Sequence, residues 1–160
     1  MTLGSNSCAK HLGGVASIRL LPATQLESVE YDPYERRFLS LTPLEESEFV
    51  EVAFVENSAS WEERVGSNGT VTHTLSFAIH GLQGDSVEQL RRLCCEGVVA
   101  VVETTEGEKF LLGYSPECGA EYPLRLSEAL LSGGSRREQR AYTSLILSSS
   151  DGSLACHVEA

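Results

Sequence analysis

The feature that most constrains this chain is Thr70 to His80, where two sets of side chains alternate without a break. One set is mostly apolar, and it consists of Val71, His73, Leu75, Phe77 and Ile79. The other set is small or polar, and it consists of Thr70, Thr72, Thr74, Ser76, Ala78 and His80. A period of two places successive side chains on opposite faces of a strand, whereas helical spacing mixes the two sets. The stretch predicts a long strand that covers a core on one side.

One helix is predicted, from about Ser86 to Glu96. Asp85–Ser86 can cap its start, and Glu88–Gln89 lie where a capping box places its second residue. The apolar positions follow 3–4 spacing, and they are Val87, Leu90, Leu93 and Cys94. Gly97 stands where a helix commonly ends in a residue with positive φ.

A hairpin is predicted after this helix, with arms Val98 to Glu103 and Lys109 to Tyr114. Gly107 lies in the intervening turn, at a position that favours positive φ. The first arm is apolar on both faces, which is typical of a strand inside a sheet and not at its edge.

The remaining strand-like segments complete a mainly β (α+β) pattern of eight or nine strands with one helix. They are Val15 to Leu21, Leu26 to Glu30, Phe38 to Leu41, Glu48 to Val55, Ala59 to Val65, Leu124 to Leu131 and Ala141 to Ser148. The tail of Leu124 to Leu131 fits a helix equally well. Short connections and the lack of βαβ alternation favour an antiparallel β-sandwich or barrel with the helix on a face or at an end.

The length of 160 residues corresponds to one domain. We expect residues 1–14, rich in Gly and Ser, to form a flexible arm, and residues 15–148 to form the single β-rich domain. Residues 149–160 are expected to be a loose tail, in which Leu154 to Val158 is compatible with one short strand.

The cysteines and the hydropathy pattern indicate a reducing compartment. Five cysteines are present, an odd number, and their spacing matches neither a zinc site nor a redox motif. The longest apolar run, Val98 to Val102, is far shorter than a membrane-spanning helix. The N-terminus has no charged segment followed by an apolar one, so we expect no secretion by a signal peptide and no membrane association.

The sequence predicts no catalytic, cofactor-binding or metal-binding residues, and no cofactor. It has no glycine-rich phosphate loop and no metal-ligand spacing. His11 and His157 fall in the terminal segments, and the strand pattern places His73 and His80 on opposite faces. His73 is interpreted as a core or interface histidine and not as a general base.

The charge is strongly acidic and unevenly distributed. Lys and Arg number 12 against 23 Asp and Glu, for a net charge of -11. This balance argues against binding to nucleic acid phosphates or to an anionic membrane. Residues 27–63 carry most of the excess negative charge, whereas one loop is basic because it contains Arg136, Arg137 and Arg140. The asymmetry is interpreted first as an uneven solvated surface, and head-to-tail contacts between copies are the alternative.

The stretch from Val71 to Gly134 resembles small structural proteins of phage and prophage tail modules, which form or cap tail tubes. The phrases ETTEGEKFLLGYS and EYPLRLSEALLSGG carry this resemblance. It implies a subunit without a cofactor that assembles with copies of itself and with other tail proteins into rings or tubes. It also implies location in a virion or in the host cytoplasm, and acidity that keeps the genome from adhering to a lumen.

Two other functions remain open at this point. The chain could be a soluble β-rich interaction module or tail-assembly chaperone without catalysis. It could also be a small enzyme or ligand-binding barrel, which would require a deep pocket lined by His73 or His80 with converging carboxylates.

Overall fold

The fold is described from a computed structural model that covers residues 14–81, 85–133, 141–151 and 156–158. Within these residues the chain forms eleven strands, one α-helix and a short 3-10 turn at Ala23–Gln25. The strands are β1 (Val15–Pro22), β2 (Leu26–Asp32), β3 (Arg37–Pro43), β4 (Val50–Glu51), β5 (Ser60–Val65), β6 (Val71–His80), β7 (Val98–Thr104), β8 (Lys109–Leu112), β9 (Arg125–Ser132), β10 (Tyr142–Asp151) and β11 (Cys156–Val158). The helix, α1, is Asp85–Glu96.

The strands form two sheets that pack together. One sheet has seven strands in the order β2-β3-β11-β8-β7-β1-β4, and the other has four in the order β5-β6-β10-β9. All named neighbours pair antiparallel except β11 and β3, which pair parallel. The predicted β-rich fold with antiparallel sheets and one helix is confirmed, with more strands than the eight or nine expected.

The strand predicted at Thr70 to His80 is β6, and its alternation builds the core between the sheets. Its mostly apolar set is buried, from Val71 to Ile79, whereas Thr72, Thr74 and Ser76 are partly exposed on the other face. The core between the sheets consists of Ile18, Leu20, Val52, Leu75, Phe77, Ile79, Cys94, Val98, Ala100, Val102, Leu112, Leu124, Leu145 and Leu147. Removal of this apolar surface from water is the main stabilising contribution.

A second core lies on the opposite face of the seven-stranded sheet. Its buried members are Leu21, Phe38, Val99, Val101, Leu111 and Val158. Successive residues of β7 belong alternately to the two cores, so that strand is buried on both faces, as its sequence predicts. Side chains of β2 and β3 pack against this second core, which requires the sheet to curve over itself.

The helix and the hairpin agree with their predicted positions. The helix begins at Asp85 and ends at Glu96, and Gly97 follows with a φ of 108°. Gly107 has a φ of 87° in the turn between β7 and β8. Val87, Leu90 and Leu93 pack against the core between the sheets, as the apolar stripe indicates.

The predicted strand at Glu48 to Val55 is wrong for most of its length. Only Val50–Glu51 pairs as β4, and the chain then crosses from one sheet to the other. The Val52 amide donates to the Ile18 carbonyl beside β1, and the Val55 amide donates to the Ala78 carbonyl beside β6. In this segment, alternating apolar side chains are buried between the two sheets, although the backbone does not form one continuous strand.

Some of the predictions for the two chain ends and for the basic loop fall outside the described residues. Residues 1–13 of the predicted arm and the basic loop residues Arg136, Arg137 and Arg140 lie outside the described residues. β10 continues to Asp151, into the segment expected to be a tail, and β11 lies within Leu154 to Val158, where one short strand is compatible with the sequence, and pairs with β3 and β8. His157 therefore belongs to a strand and not to a loose end. Among the described residues, no helix is both long enough and apolar enough to cross a bilayer.

Candidate functional site

The four-stranded sheet presents one face away from the core, and most of its side chains there carry hydroxyl groups. We call this surface the hydroxyl face. Its hydroxyl-bearing residues are Ser60, Thr72, Thr74, Ser76, Ser144, Ser148 and Ser150. The described charges on it are balanced, with Glu62 and Glu128 against Arg64 and Arg125. The face is therefore polar without a net excess of either charge among these residues.

Cross-strand hydrogen bonds between hydroxyl groups connect the strands of this face. The hydroxyl oxygens of Ser60 and Ser76 lie 2.7 Å apart, and those of Thr72 and Ser150 lie 3.2 Å apart. Such pairs are the usual stabilising units of a solvated sheet face. They join β5 to β6 and β6 to β10 without burying any charge.

A shallow groove crosses one end of the hydroxyl face. Its volume is about 500 Å³, and Val55, Leu130 and Tyr142 supply apolar side chains along it. Its remaining lining combines the apolar residues Phe77, Ala78 and Ile146 with the polar residues Ser58, Ser76, Glu128 and Ser144. The groove is open to solvent, so it offers contact area and not an enclosed reaction chamber.

The four-stranded sheet has two strand edges at which further strands can add. Within the described residues, β5 pairs with β6 alone and β9 pairs with β10 alone, but Leu124, directly before β9, forms an isolated antiparallel bridge with Val98 at the start of β7. An edge strand presents unpaired backbone groups and can template pairing with another chain. Three successive antiparallel pairs connect β5, β6, β10 and β9. Strands β5 and β9 therefore run in opposite directions.

The pairing register places opposite charges at the two edges of one row. A row is the set of residues paired across the four strands. One row runs Glu62, Thr74, Ser148 and Arg125, so a carboxylate and a guanidinium occupy its two ends. The Arg125 side chain is exposed, and its Nε lies 3.5 Å from the position that a Cβ on Gly97 would take. The next row on the same face, two rows along and across the register shift in β9, ends in Ser60 on β5 and Glu128 on β9.

A second concave region, the apolar cleft, lies between β4, the end of β6 and α1. Its volume is about 570 Å³, and most of its lining is aliphatic. The lining residues are Val50, Glu51, Val52, Ala53, Ile79, His80, Val87, Gln89, Leu90 and Leu93. Val50 is 51% exposed, so the cleft opens beside an edge strand of the seven-stranded sheet.

The two strand histidines are placed on opposite faces, as predicted. His73 is 3% exposed and its Nδ1 lies 3.2 Å from Oε1 of Glu63, whereas His80 is exposed. Ser149 pairs with His73 on the other side, but its hydroxyl donates to the Tyr122 carbonyl at 2.6 Å. His73 lines neither the groove nor the cleft.

The described thiols and acidic groups do not assemble a metal or redox centre. In the described part of the chain, no three His, Cys, Asp or Glu side chains form a group able to hold a metal ion. Burial raises the pKa of the Cys94 thiol to about 12, with a further contribution from Cys95, so this thiol is protonated and inert. The Arg91 guanidinium hydrogen-bonds Glu88 and lowers the pKa of that carboxyl.

The residues that line the groove and the apolar cleft, and those that form the charged row, could not be identified from the sequence. Strand pairing decides which side chains share a row, and a periodic pattern does not contain the pairing register. The adjacent Leu130 and Leu131 gave one available signal, because they stand side by side and cannot both face the core of a regular strand. Both are at least half exposed.

Comparison with known proteins adds no relative. A scan against protein-family models gives no match, and searches of curated proteins and of solved structures also give none.

Proposed function

We propose that this protein is a non-catalytic structural subunit of the phage or prophage tail-tube type, which assembles with copies of itself into rings or tubes. The resemblance of Val71 to Gly134 motivates this function, and the architecture of the four-stranded sheet supports it. The sheet has two long faces, two open edges and no enclosed site among the clefts described.

The observation that carries the proposal is the row that ends in Glu62 and Arg125. In a ring, β9 of one copy lies beside β5 of the next copy, and these strands are antiparallel. With the rows aligned, Arg125 lies beside the neighbour's Glu62 and Glu128 lies beside the neighbour's Ser60. The Arg125 side chain swings away from Gly97 to make this contact.

Such an edge contact is heterologous, because two different edges meet at each junction. Heterologous contacts close into rings when the rotation between copies allows closure. Every open edge of the four-stranded sheet is then covered, which removes the aggregation hazard of exposed strands. The hydroxyl face becomes a continuous wall with no excess positive charge among its described residues, so it does not retain a phosphate polymer.

The proposal is tested by charge reversal at the two ends of the row. Arg125→Glu places two carboxylates together, and we expect self-association to weaken by roughly ten-fold. Glu62→Arg in the same chain restores the opposite charges in exchanged positions and restores association. Sedimentation velocity and negative-stain microscopy measure both effects.

The control is Arg36→Glu, which makes the same charge change at an exposed residue of the turn between β2 and β3, in the other sheet. It should leave association unchanged. Equal loss of association in the single variant and the double variant would contradict edge pairing in this register. A wild-type chain that stays monomeric at high concentration would contradict the proposed function itself.

A second candidate is a soluble interaction module or tail-assembly chaperone. The apolar cleft favours it, since one partner segment could bind there without ring formation. A stable complex between one monomer and one heterologous protein, with no self-association, would select this alternative.

A further inference from the structure

We infer that Leu130 fixes the register of the contact between copies by packing against Val55 of the adjacent copy, an inference that rests on the proposed function. Leu130 is 57% exposed although it lines the groove of its own chain. It pairs with Ser144, which places it on the hydroxyl face of the edge strand β9. The exposed part of this side chain is apolar surface available to a second copy.

Val55 has the matching position on the opposite edge. Its amide donates to the Ala78 carbonyl at 2.7 Å, and the Ser58 hydroxyl accepts from the Ala78 amide at 3.1 Å. The turn from Val55 to Ser58 therefore continues this edge beyond β5, at the level of Ala78. Ala78, Ser144 and Leu130 form one row across β6, β10 and β9. Val55 and Leu130 thus lie at the two ends of this row, and both line the groove.

The proposed edge contact brings these two ends together. When Arg125 lies beside the neighbour's Glu62, the same alignment of rows places Leu130 beside the neighbour's Val55. Both side chains lie on the hydroxyl face, so they meet on one side of the joined sheets. Their packing removes apolar surface of both copies from water. The groove of one copy then continues into the groove of the next.

The open length of β9 sets where this contact begins. The Leu124 amide donates to the Val98 carbonyl at 2.9 Å, and the Val98 amide donates to the Leu124 carbonyl at 2.8 Å. The edge of β9 is therefore closed directly before Arg125. The contact extends from Arg125 towards Leu130, and the neighbour's β5 residues that follow Glu62 lie outside it.

A slip of two residues in one direction is disfavoured by charge. Such a slip keeps the hydroxyl faces on the same side, but it places Arg125 beside the neighbour's Arg64. It also places Glu128 beside the neighbour's Glu62. Like charges directly opposite each other destabilise a strand pair. Leu130 has no apolar partner in this register.

A slip of two residues in the other direction is disfavoured by loss of both contacts. Arg125 would lie beside the neighbour's Ser60, and Leu130 would lie at the level of the neighbour's exposed His80, beyond the turn that carries Val55. A slip of one residue would reverse the faces of the two strands. The register with Leu130 beside Val55 is the one of these four that pairs opposite charges at one end and apolar side chains at the other.

Photo-crosslinking in the full-length chain tests the inference. Benzoylphenylalanine, which is also apolar, replaces Leu130, and unlabelled copies are mixed with copies that carry nitrogen-15. After irradiation, mass spectrometry should find mixed-isotope crosslinks from position 130 to the turn from Val55 to Ser58. Tyr34, which is 96% exposed on the turn between β2 and β3, is the control position and should give no such product.

A second probe at position 62 separates the inference from the proposed function. Crosslinks from position 62 to Arg125, with crosslinks from position 130 to any other part of a second copy, would overturn the Leu130 contact and leave edge pairing intact. Crosslinks from position 62 to Glu128 would show the slipped register and would also overturn the inference. Absence of crosslinks between copies from both positions would overturn the inference and the proposed function together.

The substitution Leu130→Ser provides a quantitative check by sedimentation velocity. We expect self-association to weaken by about ten-fold, because each junction loses its apolar contact. The matched control is Leu131→Ser, since Leu131 is 50% exposed but pairs with Thr143 on the opposite face of the same strand. This control should change association by less than about two-fold. Equal losses in the two variants, or unchanged association of a folded Leu130→Ser chain, would overturn the assignment.

Discussion

The two sheets use the same strand geometry for different purposes. In the seven-stranded sheet, β7 and β1 contribute residues to two cores, and Val98 through Val102 are almost completely buried. In the four-stranded sheet, β6 and β10 bury one face and expose serine and threonine on the other. The central strands of the first sheet bury side chains on both faces, whereas the second sheet leaves one face exposed to solvent.

This difference shows where the chain tolerates change. A residue on either face of β7 contacts close-packed neighbours, so polar substitutions there affect stability directly. A residue on the hydroxyl face contacts solvent and its cross-strand partners, so substitutions there should change stability less than substitutions in β7.

The largest expected effect is the difference in stability between two single variants, each of which introduces one carboxylate into a different sheet. Val101→Asp buries a carboxylate in the second core, where Val101 is 2% exposed, and we expect destabilisation of at least about 4 kcal/mol. Thr74→Asp places the same group on the hydroxyl face and should change stability by less than about 1 kcal/mol. Urea denaturation followed by circular dichroism measures both, and similar losses would contradict the contrast between the sheets.

A second pair of variants measures how closely the seven-stranded sheet is packed. Gly113 has a φ of 85°, and a Cβ there would lie 2.7 Å from the Val98 carbonyl oxygen. That oxygen accepts a hydrogen bond from the Leu124 amide at 2.9 Å, so it has little freedom to move. Gly113→Ala should therefore cost roughly 2–4 kcal/mol.

Gly107→Ala is the matched control, because Gly107 has a φ of 87° with no atom near the position of a Cβ. It retains the backbone strain without the clash and should cost about 1 kcal/mol. Thermal unfolding compares the two variants, and equal losses would show that conformation alone, and not packing, limits position 113.

The buried thiol predicts a stability change at alkaline pH. Unfolded Cys94 loses its proton near its ordinary pKa of 9.0, whereas in the folded chain its pKa is about 12. Unfolding then releases a proton between these values, so stability falls as the pH rises from about 9 to about 12. Cys94→Ala removes this contribution and should make the pH dependence shallower in denaturant titrations across that range. Parallel curves for the two chains would contradict the assignment.

The smallest effect is expected on the hydroxyl face itself. Ser60→Ala and Ser76→Ala each remove one member of the hydroxyl pair at 2.7 Å, and each should cost less than about 1 kcal/mol. A double-mutant cycle isolates their coupling. A coupling energy above that value would show that this face contributes to folding as strongly as a core.

Much of this contrast was predictable from local patterns. Alternation identified β6 and its buried face, the capping residues placed α1, and the two apolar faces of Val98 to Val102 placed β7 inside a sheet. Each of these patterns involves residues close together in sequence, so it can be interpreted without knowledge of the tertiary contacts.

The rest depended on contacts between distant segments. The pattern of Glu48 to Val55 does not distinguish a strand from a chain that crosses between two sheets. β11 is three residues long, and it pairs with β3 on one side and with β8 on the other, both of which are distant from it in sequence. The charged row and the apolar cleft also require knowledge of register and of sheet order, which alternation alone does not supply.

Sedimentation velocity of the purified full-length chain, combined with negative-stain microscopy, tests self-assembly most directly. We predict closed rings or stacked tubes whose population increases with protein concentration and decreases in Arg125→Glu. Single particles with the mass of one chain at every concentration, in both the wild type and the variant, would contradict the account.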